Sequence, residues 1–250
     1  MPDEFSGKTA LVTGASRGIG AATAVALARR GVARVLVHYN RHREGALETL
    51  EAVRAAGADG EVMGANLAAL AGIEALLAQL PEIDILINNA GSLVRRARLL
   101  EFTSELYDEV MTLNVKSAWT ITQAVAPAMI RKGSGTVVNL SSIAARNGGG
   151  PGATIYAAAK AAVMTITKGL AKELAPLGIR VNAVSPGTVD NDFHREFSTR
   201  QILDNAMAMT PAGRLGTNED IADVIVFLCS EAARYLHGQT LEINGGMLAP

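Results

Sequence analysis

The sequence predicts an α/β protein, a single doubly wound domain in which a mostly parallel sheet of seven strands is covered by helices on both faces. Three observations carry this expectation. Short runs of apolar, often β-branched residues recur along the chain, longer stretches of helical periodicity separate them, and glycines close the helical stretches. Runs that are apolar without alternation suit strands buried on both faces, as a helix-covered parallel sheet requires. The chain has 250 residues, 49% hydrophobic and 19% charged, enough for one large α/β domain. No linker, low-complexity tract or repeat divides it, so 1–250 reads as one unit.

The strand candidates are Ala10–Val12, Val35–Val37, Ile85–Ile87, Val137–Val138, the segment around Val181, and Leu241–Ile243. Helical patterns fall near 18–30, 42–57, 69–79, 103–130, 154–176 and 218–230. Gly31, Gly57 and Gly178 follow three of them, where a left-handed cap costs glycine least. Thr217 or Asn218 is placed to cap the last. The irregular segments are 92–102, 145–153 and 188–216. Each follows a strand, and 188–216 is expected to form a substrate lid.

Composition excludes several functions. With 23 Lys and Arg against 24 Asp and Glu, the net charge is −1, which leaves no protein-wide field to attract nucleic acid. No apolar run reaches the ~18 residues of a membrane span. The opening Met1–Lys8 carries acidic residues and no apolar signal core, so a cytoplasmic location is expected. The single cysteine, Cys229, sits in an apolar run and reads as a buried hydrophobe. No metal site is expected.

Thr13–Gly20 (TGASRGIG) lies between the first strand and the first helix. There glycine lets bare backbone N–H groups approach a pyrophosphate at a helix N-terminus, as in a Rossmann-type dinucleotide site. The spacing is G-x-x-x-G-x-G. Two rivals overlap it. Gly7-Lys8-Thr9 looks like the end of a P-loop, but Met1–Ser6 supplies neither the earlier glycine nor a strand. Gly14–Gly18 also satisfies G-x-S-x-G, the nucleophile elbow of an α/β-hydrolase. A triad of Ser16, Asp190 and His237 would be needed, and no local signature supports it.

Tyr156 and Lys160 stand four residues apart in a helical pattern, one turn from each other on one face. A neighbouring cation favours phenolate, so Lys160 is expected to lower the pKa of Tyr156 and make it a usable acid and base.

With these residues in hand, the sequence resembles the short-chain dehydrogenase/reductase family over nearly its whole length. Four motifs carry the resemblance: Thr13–Gly20, Asn88-Asn89-Ala90-Gly91, Asn114 in Leu113-Asn114-Val115, and Ser142 followed by Tyr156-x-x-x-Lys160. It implies that Tyr156 is the acid/base and that Lys160 tunes it and binds the nicotinamide ribose. Ser142 would polarise the carbonyl, with Ser141 the adjacent alternative, and Asn114 would support a proton-relay water. It further implies a cofactor groove built from Gly14, Ser16, Arg17, Gly18, Ile19 and Gly20. Tyr39, Asn40 and Arg41 would follow the second strand, Asn66 and Leu67 would lie by the adenine, and Asn89, Ala90 and Gly91 would follow the fourth strand. Pro186, Gly187 and Val189 would complete it. Asn66 replaces a common aspartate, and Asn191 replaces a threonine after Pro186-Gly187. His38-Tyr39-Asn40 and Gly238–Gly246 look most like the 3-oxoacyl-ACP reductases. Gly133 and Leu177, by contrast, are uncharged where such reductases tend to be basic.

The expected reaction moves a hydride between a nicotinamide cofactor and a ketone or secondary alcohol, in the manner of NADPH-dependent reduction of a 3-oxoacyl thioester. A sugar or hydroxy-acid dehydrogenase is the alternative, and a non-enzymatic dinucleotide sensor a remoter one. NADP(H) is expected over NAD(H), which stays possible. No carboxylate precedes Glu44 after the second strand, and Arg17 and Arg41 can meet a 2′-phosphate. The helices near 103–130 and 154–176, with Val125, Met129, Val163 and Ile166, are expected to form a homodimer or homotetramer interface. Arg95, Arg96 and Arg98, with His194 and Arg195, suggest an anion grip at the mouth of the cleft.

Overall fold

The computed structural model describes residues 4–249, so Met1–Asp3 of the leader reading lie outside it. Seven strands form one sheet: β1 (Thr9–Val12), β2 (Arg34–Tyr39), β3 (Asp59–Gly64), β4 (Ile85–Asn88), β5 (Gly135–Leu140), β6 (Ile179–Pro186) and β7 (Thr240–Ile243). Their order is β3-β2-β1-β4-β5-β6-β7, and every pairing is parallel.

Each central strand feeds both faces because successive side chains alternate. Ala10 and Val12 of β1, Val35 and Val37 of β2, and Ile85 and Ile87 of β4 point to one side. There they meet α1 (Gly18–Arg29), α2 (Arg43–Ala55) and α10 (Asn218–Cys229) through Leu27, Val53 and Ile225. Leu11, Leu36 and Leu86 point to the other. They meet α3 (Leu70–Leu77), α5 (Ser117–Lys132) and α7 (Thr154–Leu174) through Ile73, Ile121 and Ala171. Those three leucines are fully buried, each worth about 1.5–3 kcal/mol over an exposed side chain. A third, smaller cluster under the cleft joins Ala97, Leu106, Val110 and Ala159 with Val94, Phe102 and Tyr156.

Three expectations change. β3 was not legible as a strand because it is the sheet edge and buries only Gly60 and Met63. The single helix expected over 103–130 is two, α4 (Ser104–Met111) and α5, joined by a π turn at Thr112–Lys116. The segment 188–216, expected as irregular, carries α8 (Asp192–Phe197) and α9 (Arg200–Met209), capped by the Asn191 and Thr199 side chains, and the 145–153 loop begins in the short α6 (Ala144–Asn147).

The proposed interface residues also move inward. Val125, Met129 and Val163 are buried within the chain's own core and Ile166 is half-buried, whereas Tyr107, Trp119 and Ile130 are exposed. Among the described residues no helix is long and apolar enough to cross a membrane.

Candidate active site

The chain builds β1 to β3 outward, then returns to place β4 on the other side of β1. At such a switch point the loops leaving adjacent strands diverge and open a crevice. Thr13–Gly20 leaves β1 there and Asn89–Gly91 leaves β4.

Gly14 and Gly18 adopt φ of 63° and 62°, a region that strains other residues. A Cβ on Gly20 would run into the Gly14 carbonyl. Arg17 occupies the N-cap of α1 in extended backbone without a side-chain cap, and the first turn holds no acidic residue. The turn therefore offers N–H groups and the positive end of a helix dipole to an anion. A dinucleotide pyrophosphate fits that cradle.

The cradle is braced by side chains that do not face it. The Thr13 hydroxyl accepts from the Asn89 and Ala90 N–H groups, both at 3.0 Å. The Asn89 amide donates to the Thr13 and Gly14 carbonyls at 2.8 and 2.9 Å. His38, 2% exposed, spans the groove: the Gly14 N–H donates to its Nδ1 at 3.0 Å, so Nε2 carries the proton toward the Ala65 carbonyl, also 3.0 Å away. Burial pushes its pKa down to about 4, against the pull of that carbonyl. Sequence reasoning did not single out His38 as a site residue. Its signals were its place in His38-Tyr39-Asn40 and a polar side chain closing the run Val35-Leu36-Val37.

At the far end, α7 presents Tyr156 and Lys160 one turn apart. The Lys160 ammonium donates to the Leu140 carbonyl at 2.9 Å and lies 5.6 Å from the Tyr156 ring centre. Burial pushes Tyr156 up to about 12, the Ser142 hydroxyl pulling the other way. Burial also brings Lys160 down to about 8. Burial, rather than the depression expected from Lys160, sets the direction at Tyr156, and the ammonium is engaged by the Leu140 carbonyl. The two serines part company: Ser141 donates to the Lys160 carbonyl at 2.9 Å, while Ser142 stands beside the phenol.

Asn114 sits in the π turn, a feature common at functional sites. Its amide donates to the Ser92 and Val110 carbonyls, both at 2.8 Å, and its buried Oδ1 has no partner. A Cβ built on Gly91 would lie 2.6 Å from that oxygen and 2.8 Å from Lys160 Nζ. Only a bare glycine can approach the two groups so closely.

Comparison with known proteins is decisive. The profile of a family described as enoyl-(acyl carrier protein) reductase matches residues 14–248. The chain belongs to the short-chain dehydrogenase/reductase family. It is similar to the 3-oxoacyl-[acyl-carrier-protein] reductase of Staphylococcus aureus, 38% identical over 244 residues covering 96% of this chain and 98% of the relative. Among solved structures, the angucycline C-6 ketoreductase LanV with bound NADP superposes with a TM-score of 0.89 at 31% identity, covering 98% of this chain and 97% of that one. A 7α-hydroxysteroid dehydrogenase complexed with NADH and 7-oxo glycochenodeoxycholic acid gives 0.90 at 31% identity, covering 98% and 96%. The chain is an oxidoreductase of this family.

Within the short-chain fold, not every residue expected at the groove reaches it by its side chain. Leu67 and Val189 are buried in the two main cores, which leaves only their backbone to line a ligand. Asn66 accepts from the Ala68 N–H, Asn191 caps α8, and Gly187 packs against Asn244. Asn40 and Arg41 are exposed beyond β2, and Arg17 lies 3.5 Å from Glu196 of α8. His237 lines a separate cavity with Lys168 and Gln239, away from Ser16. Burial raises the Cys229 thiol to about 12, as suits an inert core residue.

Proposed function

We propose that this chain is an NADP(H)-dependent ketone reductase acting on 3-oxoacyl thioesters or related carbonyls. The observation that carries the reading is the convergence of Ser142, Tyr156, Lys160 and the unpartnered Asn114 Oδ1 at the end of the switch-point crevice. When bound, the nicotinamide cofactor supplies or accepts the hydride. Ser142 holds the carbonyl oxygen by a preorganised hydrogen bond as it gains negative charge. Tyr156 delivers its phenolic proton to that oxygen, and a pKa near 12 keeps the proton available at neutral pH. Lys160 holds the ribose and, with Asn114 close beside it, is placed to return a proton to the phenol.

NADP(H) is favoured over NAD(H) because no carboxylate follows β2 before Glu44, while Arg17 and Arg41 are near enough in sequence and exposed enough to receive a 2′-phosphate. The exposed Tyr107, Trp119 and Ile130 favour association into a dimer or tetramer. A cytoplasmic location suits such chemistry. Carrier-protein docking has less support, since Gly133 and Leu177 are uncharged.

The test is nicotinamide absorbance with 3-oxoacyl thioesters, simple ketones, sugar acids and enoyl thioesters. Tyr156→Phe should lower turnover about 10²-fold or more while cofactor affinity stays near the parent value. A variant retaining a tenth of the parent rate would remove Tyr156 from the chemistry. Turnover confined to sugar acids would favour the dehydrogenase alternative, and tight cofactor binding without any turnover a sensor.

A further inference from the structure

Three loops meet over Tyr156, and one side chain ties them. At Val94 the backbone turns into the left-handed region, φ 64°, which is strained for a β-branched residue. The Arg95 N–H donates to the Leu93 carbonyl at 2.8 Å and closes a three-residue turn around it. The Val94 N–H donates to the Ser92 hydroxyl at 2.9 Å, and its side chain packs into the cluster with Phe102, Ile155 and Tyr156. The turn redirects the chain so that Arg96 reaches two other loops. Its Nε donates to the Phe197 carbonyl at 2.7 Å, and its Nη1 donates to the Pro151 carbonyl at 2.9 Å.

Phe197 ends α8, where carbonyls lack helical partners and a cation is favourable. From α8, Phe193 stands over Tyr156 with ring centres 5.9 Å apart, backed by Phe197 at 5.0 Å and His194 at 5.2 Å. Burial and the nearby Arg96 bring His194 down to about 4, so it is neutral at working pH. Arg195 faces Asp190 and Asp192. The wall over Tyr156 is thus aromatic and held by a guanidinium already committed to backbone; of the residues expected to form an anion grip, Arg96 and Arg195 are engaged elsewhere and His194 is neutral, while Arg95 and Arg98 stay exposed.

We propose that Arg96 is a positioning residue that fastens the α8 lid over Tyr156, and that the site so formed selects ketones with an apolar or aromatic body over anionic ones. The proposal rests on the carbonyl-reductase reading for its substrate half, while the fastening half stands on geometry alone. The fork matters because only a guanidinium presents two donors in fixed geometry to two carbonyls.

Arg96→Ala and Arg96→Lys would be compared with the parent in two measurements. The first is NADPH-dependent reduction of ethyl benzoylacetate, ethyl acetoacetate and the benzoylacetate anion. The parent should favour the aromatic ester over ethyl acetoacetate by about tenfold in kcat/KM, and both variants should raise the KM for the esters about tenfold while kcat and NADPH affinity change by less than about threefold. The second is amide hydrogen exchange, needing no turnover, which should quicken across 192–209 in both variants and leave the core strands as before. A loss confined to the benzoylacetate anion, or full rescue by lysine, would make Arg96 a charge receptor and overturn the proposal. Unchanged exchange would overturn the fastening. If the parent reduced none of the three ketones, the carbonyl-reductase reading and the selectivity would fall together, and exchange would still decide the fastening.

Discussion

Gly91→Ala is the sharpest perturbation of the candidate site, because it adds a single methyl where the structure leaves no room for one. That methyl would sit 2.6 Å from Asn114 Oδ1 and 2.8 Å from Lys160 Nζ, against an ordinary contact of about 3.4 Å or more, so each neighbour must retreat by roughly half an ångström or more. Neither is free to do so. Asn114 is held by two hydrogen bonds at 2.8 Å, and Lys160 is 3% exposed and bonded to the Leu140 carbonyl. Losing one bond to a charged group costs about 1.5–3 kcal/mol, which sets the expected loss of stability. Displacing Asn114 and Lys160 disturbs the groups proposed to supply the proton, so the expected loss of turnover is about 10²-fold. The assay is ketone reduction followed by nicotinamide absorbance, with thermal unfolding run in parallel. Turnover within threefold of the parent would show that the gap between Asn114 and Lys160 has no part in proton supply.

Further outcomes follow from the same geometry. Since the folded pKa of Lys160 is depressed to about 8 from 10.5, kcat/KM for reduction should fall above about pH 8 although Tyr156 stays protonated, and a profile flat to pH 10 would contradict this. The unfolded chain binds the Lys160 proton that the folded one has released between about pH 8 and 10, so the Lys160 contribution to stability of the free protein should rise across that window, as urea titrations can measure. His38→Leu strips partners from the Gly14 N–H and the Ala65 carbonyl and should weaken dinucleotide binding about tenfold, at about 1–3 kcal/mol for each stranded group. His38→Asn, with one acceptor and one donor, should recover most of it, and equal affinities in a cofactor titration would argue against the bridge. Thr217→Ala breaks the reciprocal cap in which the Asp220 N–H donates to the Thr217 hydroxyl and the Thr217 N–H to the Asp220 carboxylate. It should cost about 1 kcal/mol by chemical denaturation and leave cofactor affinity alone.

The legible part of this fold was the part whose burial is symmetric. Strands covered on both faces write continuous apolar runs, and Gly31, Gly57 and Gly178, with φ of 91°, 100° and 80°, mark helix ends by a conformation other residues avoid. β3 escaped because an edge strand with Gly60 and Gly64 writes no such run. The π turn was hidden because one inserted residue hardly disturbs the periodicity of a long helix. In the candidate site, the residue types and spacing of Tyr156 and Lys160 were readable, but the direction of the Tyr156 shift was not, since it depends on enclosure by elements remote in sequence. Asn89 shows the same limit: its place after β4 was visible, its work as a brace for Thr13 and Gly14 was not. Arg95, Arg96 and Arg98 read as an anion grip, and only the turn at Val94 shows that Arg96 is aimed at two backbone carbonyls.

The π turn between α4 and α5 makes this site depend on a count rather than on a residue. Deleting any one position within 112–116 would let the two helices merge into one regular α-helix, with every hydrophobic contact of the core face still open to being satisfied. The flanking faces would keep their bearing, because a regular turn takes about one residue fewer than the π turn it replaces. What would be lost is the bulge that holds Asn114 beside Gly91 and Lys160. A relative of the same composition but one residue shorter here would keep the sheet and its glycine turn. It would have to find its proton path elsewhere.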